Sequence, residues 1–115
     1  MLPKKRRIER KYFGQIMSQG KRYNSPSFTL YLAKMDVGNG LPDSKFSFSV
    51  SKKVLKRAVD RNKLRRRGYS VISRNLKKIK PGFFVFFLYK KGFEKDYSLL
   101  EKEINGLLSS TLVII

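Results

Sequence analysis

The chain has 115 residues, of which 27 are basic and 8 acidic, giving a formal net charge of +19, and it contains neither Cys nor His. The missing residue types exclude disulfides, thiolate zinc sites, Cys nucleophiles and any nuclease that uses His as general acid or base. The length predicts a single domain over 1–115, and a hydrophobic content of 41% is enough for a modest core. The positive charge predicts a polyanionic partner, either nucleic acid or an anionic membrane surface.

The positive charge is concentrated in the first four-fifths of the chain. Residues 94–115 contain four acidic and two basic residues, whereas residues 1–93 contain 25 basic and four acidic ones. The longest apolar run, 83–89, is far shorter than the roughly 20 residues that span a bilayer. The basic N-terminal residues are not followed by the apolar segment of a secretory signal. We therefore expect a soluble, cytoplasmic protein whose partner lies against residues 1–93.

The predicted elements follow the order α-β-β-α-β-α. Apolar residues at three- and four-residue spacing predict a first helix that ends at Gly20. Alternating and continuously apolar runs predict the strands, and a longer amphipathic pattern predicts the basic helix. The predicted ranges are 7–20 for the first helix, 27–35 and 45–51 for two strands, 56–78 for the basic helix, 83–89 for the next strand and 94–112 for the last helix. A short extra strand near 21–25 is also expected.

The strand over 83–89 is apolar throughout, which is typical of a central strand covered on both faces. The economical architecture is therefore α+β, a mixed sheet with helices packed on it. In the strand over 45–51, apolar residues alternate with Ser47, Ser49 and Ser51. One face of this strand thus carries small hydroxyl groups, which a flat partner could approach closely.

The stretch DRNKLRRR, residues 60–67, is the core of the basic helix. At about 100° per residue, Leu64 lies on the apolar stripe, whereas Asn62, Lys63 and Arg66 lie on the opposite side. Like charges four residues apart destabilise a helix that faces only solvent, so this density of cations indicates an anionic ligand. Arg suits phosphate because its planar fork can bond two oxygens. The candidate RNA-binding residues are Lys52, Lys53, Lys56, Arg57, Arg61, Asn62, Lys63, Arg65 and Arg66.

Blander explanations of the same residues were weighed against RNA binding. A solvated charge run or an import signal would fit a short basic cluster, but here the balancing acids are missing. A membrane surface is disfavoured because no exposed apolar face rich in Trp or Phe accompanies the cations. Tyr31 alternates out of register with Phe28, Leu30 and Leu32, so it either stacks an RNA base on the open sheet face or belongs to the core.

Catalysis by the chain itself is disfavoured. The carboxylates are scattered rather than clustered as a metal nuclease requires, and no Gly-rich phosphate loop is present. On residue chemistry alone, a structural RNA-binding protein such as a small ribosomal protein and a stand-alone nuclease both stay open.

The segment 46–72, FSFSVSKKVLKRAVDRNKLRRRGYSVI, resembles the signature of the bacterial ribonuclease P protein family. In that family a strand ends in Val-Ser-Lys-Lys, Ala-Val follows, and Arg-Asn-Arg opens a basic helix; the matching positions here are 50–53, 58–59 and 61–63. The resemblance implies the protein subunit of a ribonucleoprotein that removes the 5′ leader from precursor tRNA. It also implies that the RNA subunit carries the active site and most of the Mg²⁺. This chain would then have no catalytic residue, no metal of its own and no need of a further protein partner.

The resemblance further implies a compact α-β sandwich with about four strands, three helices and a left-handed βαβ crossover, although crossovers are generally right-handed. The basic helix would bind the RNA subunit, and a cleft between the first helix and the sheet would hold the single-stranded leader. The residues assigned to this cleft are Phe13, Met17, Phe28 and Tyr31.

Four positions depart from the family pattern. Lys63 stands where the third signature residue is Arg, and it keeps the charge without the bidentate geometry. Met17 replaces a frequent Phe, Leu55 replaces a frequent Gly, and Gly68 interrupts the apolar stripe of the basic helix.

Overall fold

The computed structural model describes residues 4–35, 43–91 and 97–111, the first residue of the last range by its backbone alone. The helices and strands are α1 (Phe13–Gln19), β1 (Lys21–Asn24), β2 (Phe28–Lys34), β3 (Lys45–Ser49), α2 (Ala58–Asn75), β4 (Phe83–Tyr89) and α3 (Tyr97–Ser110). Short 3₁₀ turns occupy Lys4–Arg6, Arg10–Tyr12 and Leu76–Lys78. The predicted order is confirmed, including the short extra strand. The turn-rich loop expected after β2 falls mostly outside the described residues, as do the last four residues of the chain.

The four strands form one mixed sheet in the order β1-β2-β4-β3. The β1–β2 and β2–β4 pairs are antiparallel, whereas β3 and β4 are parallel. Parallel neighbours need a crossover connection, and α2 supplies it, so β3, α2 and β4 make a βαβ unit. The predicted α+β class, with four strands and three helices, is thus confirmed, while the left hand of the crossover stays a prediction.

The larger core lies between the sheet and the helices α2 and α3. Phe28, Phe48 and Phe87 form its aromatic centre, where the rings of Phe48 and Phe87 stack at 4.7 Å with 4° between their planes. Leu100 and Ile104 of α3 are fully buried against this centre. Burying each such side chain contributes about 1.5–3 kcal/mol relative to leaving it in water.

A smaller core lies on the opposite face of the sheet, beneath α1. It consists of Ile8, Ile16, Ala33, Phe84 and Phe86. The side chains of β4 alternate between the two cores, because successive residues of a strand point to opposite faces. The prediction that the apolar strand is central and covered on both faces is therefore confirmed.

The N-terminal segment closes the outer edge of β3. The backbone N–H of Ile8 donates to the carbonyl of Phe46 at 3.0 Å, and Arg7 forms a parallel bridge with Phe46. Arg6 pairs with Asp43 at 3.0 Å, close to the start of β3. The predicted helix over 7–20 is correspondingly shortened, because its first residues pair with the sheet.

Gly20 ends α1 for a different reason from the one expected. Its backbone is extended (φ −74°, ψ 152°), so no left-handed conformation is involved. A Cβ at this position would lie 2.5 Å from the carbonyl oxygen of Ile16 and 3.2 Å from that of Leu32. Only Gly therefore fits where the chain turns from α1 into β1.

Candidate RNA-binding surface

Helix α2 presents one apolar face to the sheet. Arg57 is its extended N-cap, and Asp60 in the first turn favours the positive end of the helix dipole. The buried face includes Leu64 and Gly68. A Cβ on Gly68 would lie 2.6 Å from the ring of Phe48, so the glycine lets the helix approach β3 closely. This confirms that Gly68 marks a close packing contact.

The opposite face of α2 is polar and positively charged. Asn62, Lys63 and Arg66 are exposed and Arg65 is half-buried, in agreement with the helical wheel. Among the described residues, the ion pairs include only one cation of the candidate set, Arg57, whose Nε lies 3.9 Å from Asp60. The described acids thus leave this face largely unneutralised. Binding of RNA by these residues stays a prediction.

Arg61 also has a structural role that the sequence did not reveal. Its guanidinium donates to the carbonyl oxygens of Leu55 at 3.0 Å and Lys56 at 2.7 Å. These bonds hold the preceding loop, which carries the exposed Lys52 and Lys53, against the first turn of α2. Arg61 therefore positions other candidate residues in addition to contributing charge.

A pocket of about 490 Å³ lies between α2 and the N-terminal segment, lined by Arg7, Asn62, Arg65, Arg66 and Tyr69. The guanidinium of Arg65 donates to the side-chain oxygen of Asn62, which orients both groups at the pocket. The guanidinium carbon of Arg7 lies 5.2 Å from the centre of the Tyr69 ring, within the range of a cation–π interaction. Arg7 thus joins the cationic surface of α2 from a distant part of the chain. It was missed as a site residue, because its pairing with β3 is non-local and only the basic composition of residues 4–7 hinted at it.

A second surface, here called the aromatic surface, consists of Phe13, Met17, Tyr31 and Phe86, between α1 and the sheet. The rings of Tyr31 and Phe86 stack with 5.9 Å between centroids, and Phe13 meets Phe86 edge-on at 5.2 Å. Phe13 and Tyr31 are half-buried, whereas Met17, one turn beyond Phe13 on α1, is 48% exposed. The structure thus brings together three of the four residues assigned to the leader cleft.

The assignment of Phe28 to that cleft is wrong. Phe28 is fully buried on the α2 and α3 side of the sheet, with its ring 4.5 Å from that of Tyr89. It is three residues from Tyr31 on one strand, so the two side chains point to opposite faces. Phe86 takes its place, since it pairs with Tyr31 in the register of β2 and β4 and shares its face. Phe86 was missed because it had been assigned to the core with the rest of its strand.

Carboxylates are not gathered into a metal site within residues 4–35, 43–91 and 97–111, where no group of three or more Asp, Glu, His or Cys side chains lies together. In the same part of the chain, no helix is long and apolar enough to cross a membrane.

Comparisons with known proteins agree with this arrangement. The family model for ribonuclease P matches residues 2–111. The chain is 32% identical to the ribonuclease P protein component of Synechococcus elongatus, over 98% of this chain and 95% of that protein. It is 33% identical to the component of another Synechococcus strain, over 100% of this chain and 88% of that protein.

Solved structures show the same fold. The ribonuclease P protein from Thermotoga maritima superimposes with a TM-score of 0.77 at 26% identity, covering 89% of this chain and 94% of that one. The Staphylococcus aureus protein gives a TM-score of 0.81 over 96% of this chain and 98% of its own, and at 19% identity this likeness shows the fold alone. The chain therefore belongs to the ribonuclease P protein family and is the protein subunit of this tRNA-processing endoribonuclease.

Proposed function

We propose that the cationic face of α2 binds the RNA subunit of ribonuclease P, and that the aromatic surface binds the single-stranded 5′ leader of precursor tRNA. The observation that carries this proposal is the outward face of α2, where Asn62, Lys63, Arg65 and Arg66 stand together without an ion pair to a described acid. A folded protein tolerates such self-repulsion when a polyanion neutralises it.

The α2 surface suits a folded RNA backbone. Arg65 and Arg66 can each bond two phosphate oxygens, and Arg7 approaches the same pocket from the N-terminal segment. Lys63 adds charge without the bidentate fork. The apolar face of α2 is fixed on β3, so these groups are held on a rigid element and need little reordering on binding.

The aromatic surface suits a single strand. Unpaired bases stack on aromatic side chains, and each such stack contributes about 1–3 kcal/mol without a strong sequence preference. One face of the Tyr31 ring packs on Phe86, which holds the ring in place beside the exposed Met17. A leader base stacked here would distinguish precursor from mature tRNA, because only the precursor carries a leader.

The role of this chain in the reaction is binding rather than bond cleavage. Mg²⁺ is held by oxygen ligands, commonly one or two carboxylates with substrate phosphates. The described residues do not fit such a site, since their carboxylates are scattered. We infer that the RNA subunit holds the Mg²⁺ ions and that this chain holds the substrate near them, in the cytoplasm and without a further protein partner.

The leader site is tested with the reconstituted holoenzyme carrying Tyr31→Ala. Loss of one stacked base weakens affinity for precursor tRNA by roughly tenfold or more and leaves affinity for mature tRNA unchanged. Tyr31→Phe, which keeps the ring, is the matched control and retains precursor affinity. Equal losses for precursor and mature tRNA would contradict a leader site on this surface.

A further inference from the structure

We propose that the leader path continues beyond the aromatic surface into a second RNA contact, the end notch, formed by Lys21, Lys34 and Lys80 around the half-buried rings of Tyr23 and Phe83. This proposal rests on the leader site proposed above. It assigns to the end notch the leader nucleotides that lie farther from the cleavage site than those on the aromatic surface.

The end notch exists because two neighbouring strands differ in length. The last β1–β2 pair joins Lys21 to Leu32, whereas β2 continues to Lys34. The edge of β2 is therefore uncovered for its final two residues, and a pocket of about 700 Å³ opens there. Lys80 approaches this pocket from the segment that leads into β4, and Thr111 approaches it from the end of α3.

The end notch is continuous with the aromatic surface. Tyr31 and Ala33 are alternate residues of β2, so they share a face at a separation of about 7 Å. Ala33 lines the notch, as does Gln19, which lies two residues beyond Met17 at the end of α1. A strand that leaves the aromatic surface along β2 in this direction therefore enters the notch directly.

The chemistry of the end notch fits a nucleotide chain. Lys21, Lys34 and Lys80 are exposed, and none is ion-paired to an acid within the described ranges. Tyr23 and Phe83 offer half-buried rings beside the ammonium groups. Lysines that follow a backbone, together with aromatic rings that accept any base, are the recurring elements of sequence-tolerant single-strand binding. Within the described chain, the exposed large apolar residues (Met17, Val59 and Leu99) all lie outside the notch, which disfavours a hydrophobic protein partner.

The test measures holoenzyme affinity for two precursor tRNAs, one with a short leader that ends on the aromatic surface and one with a longer leader. The variant is Lys34→Ala with Lys80→Ala. The matched control is Lys91→Ala with Lys102→Ala, which removes the same charge at two exposed lysines outside the notch. We expect the notch variant to lose several-fold affinity for the longer leader alone. The salt slope should fall by roughly 0.7 for each lost phosphate contact, and the control variant should show neither change.

Failure of this proposal is distinguishable from failure of the leader site. Tyr31→Ala weakens binding of both leaders, so a normal response to Tyr31→Ala with no effect of the notch variant would overturn the end notch alone. Equal losses for both leaders, or weaker binding of the RNA subunit without tRNA, would place the lysines on the RNA subunit and overturn the proposal. An effect seen only after deletion of residues 112–115 would mean that the end of the chain covers the notch, which also overturns it.

Discussion

Replacing Gly68 with Ala tests whether α2 is held against the sheet as closely as the structure shows. Gly68 is buried within α2, directly over the ring of Phe48. Phe48 is only 2% exposed and is stacked on Phe87 at 4.7 Å, so it has little room to retreat. The new methyl group would lie 2.6 Å from two ring carbons, whereas carbon atoms are in favourable contact at about 3.5–4.0 Å.

Two effects of opposite sign decide the outcome. Ala is a better helix former than Gly by about 1 kcal/mol, which stabilises the folded state. Overpacking a full core costs about 1–3 kcal/mol, because the ring and the helix must move apart. The net expectation is a lower free energy of unfolding, by about 1 kcal/mol.

Gly106→Ala is the matched control. Gly106 is exposed within α3, and a Cβ there meets nothing within 4 Å. This substitution should therefore stabilise the protein by up to about 1 kcal/mol through helix propensity alone. The difference between the two variants in urea unfolding, about 1–3 kcal/mol, isolates the packing cost, provided that both variants keep the wild-type slope with denaturant.

A stabilisation by Gly68→Ala equal to that of Gly106→Ala would refute the close approach of α2 to β3. A second measurement keeps the test decisive. Phe48→Leu makes room for the methyl group, so Gly68→Ala should cost less in that background than alone, and the coupling between the two sites should be measurable.

Three other predictions concern individual contacts. Arg65→Glu with Arg66→Glu should weaken binding of the RNA subunit and flatten its salt dependence, whereas reversing the charge of the two control lysines should not; an unchanged slope would exclude this face of α2 from the RNA contact. Arg61→Lys keeps the charge but loses the bonds to two loop carbonyls, so amide hydrogen exchange in the loop before α2 should accelerate, and unchanged exchange would show that Arg61 does not hold the loop. Glu103→Ala should cost about 1–3 kcal/mol in urea unfolding because it leaves the buried N–H of Ser27 without its 2.7 Å acceptor, whereas Glu103→Gln, which keeps an acceptor, should cost less.

Periodicity was sufficient to predict the parts of this molecule that depend on local pattern. The continuous apolar run of β4 predicted a strand between two cores, and the wheel of α2 predicted which residues face outward. Both predictions hold because burial repeats with the geometry of the element itself. The same rule would have excluded Phe28 from the leader cleft, since Phe28 and Tyr31 differ by an odd number of positions on one strand. Transfer by position from the family overrode that rule.

Non-local pairings were not predictable from the sequence. Arg7 reaches the α2 pocket only because the N-terminal segment pairs with the edge of β3, about 40 positions away in the chain. The end notch likewise depends on where β1 stops beside β2, which a register decides and a local pattern does not. The shorter first helix has the same origin, because sheet pairing of Arg7 and Ile8 competes with helix formation.

Reconstitution is the most direct test of the central claim, that this chain supports cleavage of precursor tRNA by binding RNA rather than by chemistry of its own. Precursor tRNA is mixed at low Mg²⁺ with the purified protein, with the cognate RNA subunit, or with both. The account predicts removal of the 5′ leader only when both are present. Cleavage by the protein alone would contradict the account, as would the absence of cleavage when protein and RNA subunit are combined.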